Sequence, residues 1–230
     1  MTETIENHVE ITLHDLLNIA ALRHVARKAT RDESPLLAGV HVRNESPAET
    51  IWCEATNSVA MARRMVLARA AAPDIEWDAT VSSDDLKHSC AAFMARADTD
   101  DPQLAPVFCT FVRDNEDEPA GINLTLGRHK RSLFGDEPPL AMFYVRSVST
   151  APYPDLLGLE ARALKESLSD EPVSYSSTRL AEITLATGMK DAVIRLSTFG
   201  AKHAVRVELD RDDQWWGLLM PVRSDRDEES

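Results

Sequence analysis

The sequence lacks most of what would make it a catalyst, a membrane protein or a disulfide scaffold. It has three cysteines in 230 residues. Cys53, Cys90 and Cys109 are widely separated, odd in number and without histidine at metal-ligand spacing. They read as small core residues of a reducing compartment, not as bridges or zinc ligands. No stretch approaches the roughly 18 apolar residues of a membrane-spanning helix. Met1 to His8 is acidic and polar and lacks the basic and apolar regions of a secretion signal, so the expected location is the cytoplasm. There is no glycine-rich phosphate loop, metal-ligand spacing or nucleophile elbow. The acidic clusters Asp84-Asp85, Asp98 to Asp101 and Glu116 to Glu118 fall at a helix start and in loops. No catalytic residue, metal or cofactor is expected. Positive charge is also scarce: 25 Lys and Arg stand against 38 Asp and Glu, a net charge of -13. That balance opposes tight nucleic-acid binding unless the positive charge is gathered in one place.

What the sequence does have is a pattern that recurs along the chain: an alternating strand, a helix, then further strands. The first copy opens with Val9-Glu10-Ile11-Thr12-Leu13, continues in a helix from about Asp15 to Ala29, and adds strands over Ala38 to Arg43, Thr50 to Thr56 and Ser58 to Leu67. The second opens over Ile75 to Val81. Ser82 or Ser83 can cap its helix, with Asp84 and Asp85 in the positive first turn. Leu86, Cys90, Phe93 and Ala97 form the apolar stripe. Strands follow at Val107 to Arg113, Gly121 to Leu126 and Leu140 to Val148, with a hairpin loop at Asn115 to Ala120 and a mobile loop at Arg128 to Pro139. The third copy opens at Pro172 to Ser176. Its helix is capped by Ser176 or Ser177 and stopped by Gly188, and its strands cover Ala192 to Phe199, His203 to Asp210 and Trp215 to Val222. This pattern predicts an α+β fold of repeated strand-helix-strands modules, with helices on one face of antiparallel sheets.

The scarce positive charge is clustered. Projected at about 100° per residue, the first helix places Ile19, Leu22, Val25, Ala26 and Ala29 on one side. Arg23, His24, Arg27, Lys28 and Arg31 fall on the other, with no acid among them. Lys87 and Arg96 add to this in the second helix, and Arg179 and Lys190 in the third. Such a face either presents itself to an anion or is a solvated surface paired with acids elsewhere.

Three motifs carry a resemblance. Pro35-Leu36-Leu37-Ala38-Gly39-Val40 leads a strand, and Thr50 to Ala62 gives a strand, an Ala55-Thr56-Asn57 turn and a second apolar strand. Ala151-Pro152-Tyr153-Pro154-Asp155 is an aromatic-Pro-Asp exit. Trp216 to Arg223 is a last strand ending in Met220-Pro221-Val222-Arg223. Together and in this order they resemble the bacterial-type DNA polymerase III beta sliding clamp family, as a shortened member covering Val9 to Arg223. The resemblance implies a complete two-module domain over 8–150, a linker and half domain over 151–223, and a disordered tail over 224–230.

The resemblance further implies a ring that holds double-stranded DNA without reading sequence. It implies an apolar pocket that captures short peptides from a DNA polymerase and other partners, a clamp loader, and homo-oligomerisation, since one chain carries too few modules to close a ring. The matching pocket positions are Leu37, Thr56, Met61, Pro154, Leu159, Leu218, Met220, Pro221, Val222 and Arg223. The DNA-facing positions are Arg23, Arg27, Lys28, Arg31, Lys87, Arg179 and Lys190. Some positions depart from the pattern. The expected Ala-Thr-Asp turn has Asn57, the His-Arg pair after it is Val59-Ala60, and a basic residue after the Pro-Asp is Gly158. The polar side of the pocket is weakened and the apolar side kept. The alternative reading is a clamp-like adaptor that binds the same peptides without forming a ring.

Overall fold

The computed structural model describes residues 8–26, 35–44, 50–68, 77–114, 118–127, 138–165, 167–169, 173–200 and 203–221. Among them lie eleven strands and four α-helices. The strands are β1 (His8–Thr12), β2 (Gly39–Asn44), β3 (Thr50–Thr56), β4 (Ala60–Leu67), β5 (Trp77–Ser82), β6 (Pro106–Asp114), β7 (Glu118–Leu126), β8 (Ala141–Ser149), β9 (Ile194–Ser197), β10 (Val205–Leu209) and β11 (Asp212–Leu219). The helices are α1 (Leu13–Ala21), α2 (Ser83–Met94), α3 (Leu156–Ala163) and α4 (Ser177–Leu185). The strands form one sheet in the order β1-β6-β7-β8-β5-β2-β3-β4-β11-β10-β9, with antiparallel neighbours throughout. The α+β class expected from the sequence is the class observed.

Local chemistry sets the helix starts. Thr12 Oγ1 accepts from the Asp15 amide at 3.0 Å and the Asp15 carboxylate accepts from the Thr12 amide at 2.9 Å. This reciprocal cap satisfies two otherwise free donors and starts α1 at Leu13, ahead of the expected Asp15. The regular helix is also shorter than predicted: it ends at Ala21 and tightens into a 3-10 turn over Leu22–His24. Ser82 caps α2 and Ser176 caps α4. Gly188 follows α4 at φ +76°, in the left-handed region that a side chain resists.

The first two modules interlock. β1 pairs with β6 of the second module, and β5, which opens the second module, pairs with β2 of the first. The orders β1-β6-β7-β8 and β5-β2-β3-β4 are therefore equivalent. The third module contributes α4 and the ladder β11-β10-β9, docked onto β4 through β11. The strand expected at 172–176 is not formed by the described residues 173–176. The opening strand of each complete module is held by the other module's ladder, and the third has no such counterpart. The expected hairpin loop is shorter than predicted because β7 already begins at Glu118. Most of the loop expected at 128–139, and the 224–230 tail, lie outside the described residues.

Successive residues in a strand point to opposite faces, so the register fixes which side chains meet. Val40, Val42, Ile51, Cys53, Ala55, Ala60 and Ala62 face α1 and α4 and form the main core. Trp215 lies on that face and donates its indole N–H to the Ala186 carbonyl at the end of α4 (3.1 Å). Gly217 is next on the same face, and a Cβ there would come within 2.7 Å of Ile183. The three cysteines are free and buried. α3, which belongs to the connector and not to a module, lies on the opposite face against β10 and the β4–β11 pair.

Candidate functional site

The seam between β4 and β11 places pocket positions from the two ends of the chain side by side. Leu218 is the register partner of Met61, and Thr56 is the partner of Met61 across β3–β4. Met61 and Leu218 are buried on the face away from α1 and α4, where Leu156 at the start of α3 joins them. Tyr153, Ala204 and Trp216 pack around this floor. Pro154, Leu159 and Met220 are exposed, the last two at 43% each. A buried aliphatic and thioether floor flanked along the chain by exposed apolar side chains suits insertion of leucine or phenylalanine anchors.

Short-range bonds hold the walls. The Met220 amide donates to the Val59 carbonyl at 2.8 Å, which extends the seam past the end of β11. The Asp155 carboxylate caps α3 by accepting from the Gly158 amide at 2.8 Å, and the Leu159 amide donates to the Asp155 carbonyl at 3.1 Å. Thr56 Oγ1 donates to the Ala60 carbonyl at 3.0 Å. Asn57 Oδ1 accepts from the amides of Val59 (3.0 Å) and Ala60 (2.8 Å), and so closes the turn. The substitution in the Ala-Thr-Asn turn has a consequence. Asn57 Nδ2 donates to the Glu182 carboxylate on α4 (3.3 Å), a bond an aspartate could not make.

The other positions are more scattered. Leu37 is half-buried in a 3-10 turn that packs on β2 and β8, away from the β4–β11 seam. Pro221 is half-buried beyond the end of β11. Val222 and Arg223 lie outside the described residues, as do Arg27, Lys28 and Arg31. Lys87 and Lys190 are exposed. Arg23 is half-buried and donates to the Ala20 carbonyl of its own helix (2.9 Å). Arg179 is paired with Glu182 at 2.7 Å, so part of its charge is answered within α4.

Beside the floor is a buried polar cluster that sequence reasoning missed. The Arg63 guanidinium pairs with Glu54 at 3.0 Å and lies 3.8 Å above the Trp52 ring, with Trp216 at 5.8 Å on its other flank. His41 sits 3.5 Å from Glu54 and 2.6 Å from Asp78. The Tyr153 ring stacks on His41, centroids 4.2 Å apart and nearly parallel. Burial, with the Glu54 carboxylate adding to it, pushes the Tyr153 phenol well above its ordinary range. Nearby, burial raises the Glu160 carboxyl although Arg206 and Arg63 oppose it, and Arg206 pairs with Glu160 at 3.4 Å. The linker that leaves the two-module domain is thus anchored by an aromatic stack just before the exposed Pro154. The alternation of Trp52 and Glu54 against Ile51, Cys53 and Ala55 carried a trace of this cluster. Its partners come from other strands and needed the register.

An open groove of about 450 Å³ runs alongside, lined by Arg206, Glu208 and Trp216 with Arg211, Asp212 and Asp213 of the β10–β11 turn. It is polar and holds none of the apolar anchor positions.

No family model matches the sequence, and no curated protein matches it. Solved structures match closely in shape. A DNA polymerase sliding clamp from Bacillus subtilis superposes with a TM-score of 0.62 at 14% identity, over 97% of this chain and 66% of that one. The beta subunit from DNA polymerase of Streptococcus pyogenes gives 0.63 at 17% identity, over 95% and 66%. A DNA polymerase sliding clamp from Pseudomonas aeruginosa, solved with ligand, gives 0.62 at 12% identity, over 95% and 67%. The chain has the fold of the bacterial sliding clamps and spans about 66% of the length of the first two.

Proposed function

We propose that this chain is a sliding-clamp-like processivity factor for DNA replication. It works by binding, not by catalysis. It captures short peptides from a polymerase and other partners at the β4–β11 seam, and it assembles with further copies into a ring around double-stranded DNA. The observation that carries the reading is the seam itself. Met61 and Leu218, 157 residues apart (218 − 61), are opposed in register and buried with Leu156, while Pro154, Leu159 and Met220 of the adjoining segments are exposed. The functional division follows the two-module unit over 8–150 and the half unit over 151–223, because the pocket needs both. Thr56 and Met61 come from the first, and Pro154, Leu159, Leu218, Met220, Pro221, Val222 and Arg223 from the second.

Exposed Lys87 and Lys190, with Arg23, Arg27, Lys28, Arg31 and Arg179, supply the cationic side that faces DNA. Topology, not affinity, retains the ring, so a modest basic lining inside an acidic shell suffices. A peptide with leucine and phenylalanine anchors should bind in the micromolar range, which corresponds to about -8 kcal/mol. Fluorescence anisotropy of such a peptide tests the seam: affinity unaffected by Met220→Ala and Leu159→Ala together would sink it. Retention on closed circular DNA with loss on linearisation tests the ring. The altered turn, with Asn57 and Val59-Ala60, favours a second reading, an adaptor that binds the same peptides and never encloses DNA. Peptide binding without topological retention would establish that one.

A further inference from the structure

We infer that β8 is a docking edge for a second copy of this chain, joined β8 to β8 about a two-fold axis at Phe143. The inference rests on the ring reading only in that a ring needs such a joint. The internal repeat supplies the argument. β4 and β8 hold the same place, last in the equivalent ladders β5-β2-β3-β4 and β1-β6-β7-β8. β4 does not end its sheet: it pairs antiparallel with the last strand of another module, β11, over Ala60–Arg64. β8 is paired with β7 on one side, while β5 reaches only Ser147 and Ser149 on the other. Among the described residues the outer edge of Ala141 to Val145 has no strand against it. Among the described residues β4 and β11 already pair with each other, so the module-ending strand that remains to meet this edge is the β8 of a second copy.

The edge has the right chemistry and a definite length. The Arg146 amide points away from β7, because it donates to the Asp85 carboxylate of α2 at 3.2 Å. Alternation then turns the backbone groups of Met142 and Tyr144 outward as well. Asp85 closes the edge at Arg146, whose side chain it also holds at 2.9 Å. With the axis at Phe143, Met142 opposes the partner's Tyr144, and each such pair can exchange both its backbone hydrogen bonds. Shifting the axis to Tyr144 would oppose Met142 to the partner's Arg146, whose amide is already used. The side chains agree with the first register. Met142 is 68% exposed and Tyr144 43% exposed, a thioether and an aromatic ring that form a favourable cross-strand pair. On the other face, Ala141 would meet the partner's Val145 and continue the core side of the sheet. A free edge flanked by large apolar side chains otherwise invites uncontrolled association.

Two full-length variants test the joint by light scattering and non-reducing electrophoresis. Tyr144→Pro removes an outward amide and spares the β7 ladder, so it should halve the particle mass at micromolar concentration. Phe143→Cys places two thiols across the axis at a Cα spacing of about 4.5 Å, so mild oxidation should link the chains. The native cysteines are buried and should not compete. An unchanged mass in the first variant together with no link in the second overturns the inference. If the proline variant fails to fold, judged by circular dichroism, the cysteine link alone decides. The ring reading fails separately. A linked β8 dimer that slides off circular DNA keeps this joint and removes the ring. Retention on circular DNA without the link does the reverse.

Discussion

Arg63 offers the most discriminating perturbation in the molecule. Its side chain is 3% exposed and that of Glu54 is 8% exposed, and the two are 3.0 Å apart. Replacing Arg63 with alanine leaves a carboxylate buried without its guanidinium. Breaking one side of a buried pair costs about 3–5 kcal/mol, several times an exposed pair. The lost contact with Trp52 adds about 0.5–2 kcal/mol. The expected loss is therefore near the upper end of single-substitution effects. Removing both charges should cost less, because Arg63→Met with Glu54→Gln keeps volume and deletes the unpaired ion. Urea denaturation of the two single variants and the double variant measures the coupling. A loss below about 1 kcal/mol for Arg63→Ala, or a double variant no more stable than the single, would refute the buried-pair argument. Peptide affinity should also fall in Arg63→Ala, since Met61 is two residues away on the same face. It should be largely kept in the double variant.

Leu218→Ala should cost about 2–5 kcal/mol of stability because the side chain is part of the buried floor, whereas Met220→Ala should cost under about 1 kcal/mol and act on peptide affinity instead. Calorimetric binding set beside thermal melts separates the two. Asn57→Asp keeps the turn but sets a carboxylate against Glu182, so it should destabilise by about 1–2 kcal/mol and be relieved by Glu182→Gln. For Asp85, burial raises its carboxyl, but the hydrogen bonds and charge of Arg146 outweigh this and hold it below its ordinary value of 3.8. A depressed acid contributes stability that is full above its unfolded value and is lost as pH falls through the folded one. Asp85→Asn should therefore lower stability at neutral pH, change little in acid below the folded value, and so flatten the stability profile below about pH 4.

The sequence conveyed what depends on neighbours and little of what depends on register. The caps at Ser82 and Ser176 were legible because a capping side chain acts within three residues. The apolar faces of α1, α2 and α4 were legible because periodicity is local. The interlocking of β1 with β6 and β5 with β2 was not, because nothing in an alternating strand names its partner. For the same reason residues 173–176, the described part of the strand expected at 172–176, form no strand: the pattern is adequate, but a strand needs a ladder to join. The seam was half legible. The similarity of the terminal Leu218 to Arg223 run to a clamp's last strand pointed to it, while the Arg63–Glu54–His41–Tyr153 cluster beside it draws on two β-strands besides β4 and on the linker.

If the seam captures peptides as proposed, their binding also reports how the chain is joined. Its floor combines Met61 of β4 and Leu218 of β11 with Leu156 of α3, so a peptide captured as proposed would bind only with the third module docked. That docking is held by the β4–β11 ladder, by Asn57 reaching Glu182, and by Arg64, which contacts both the Thr187 carbonyl (3.1 Å) and Asp212 (3.2 Å). Arg64 faces the helices while the peptide floor faces the other way, so the two are coupled only through the sheet. Arg64→Met should loosen the third module and weaken peptide binding without touching a pocket residue. A saturating peptide should restore part of the lost stability, as binding to the docked form alone requires. Peptide affinity that stays unchanged while the melt of Arg64→Met drops would mean that the floor is built by the linker and α3, not by the seam.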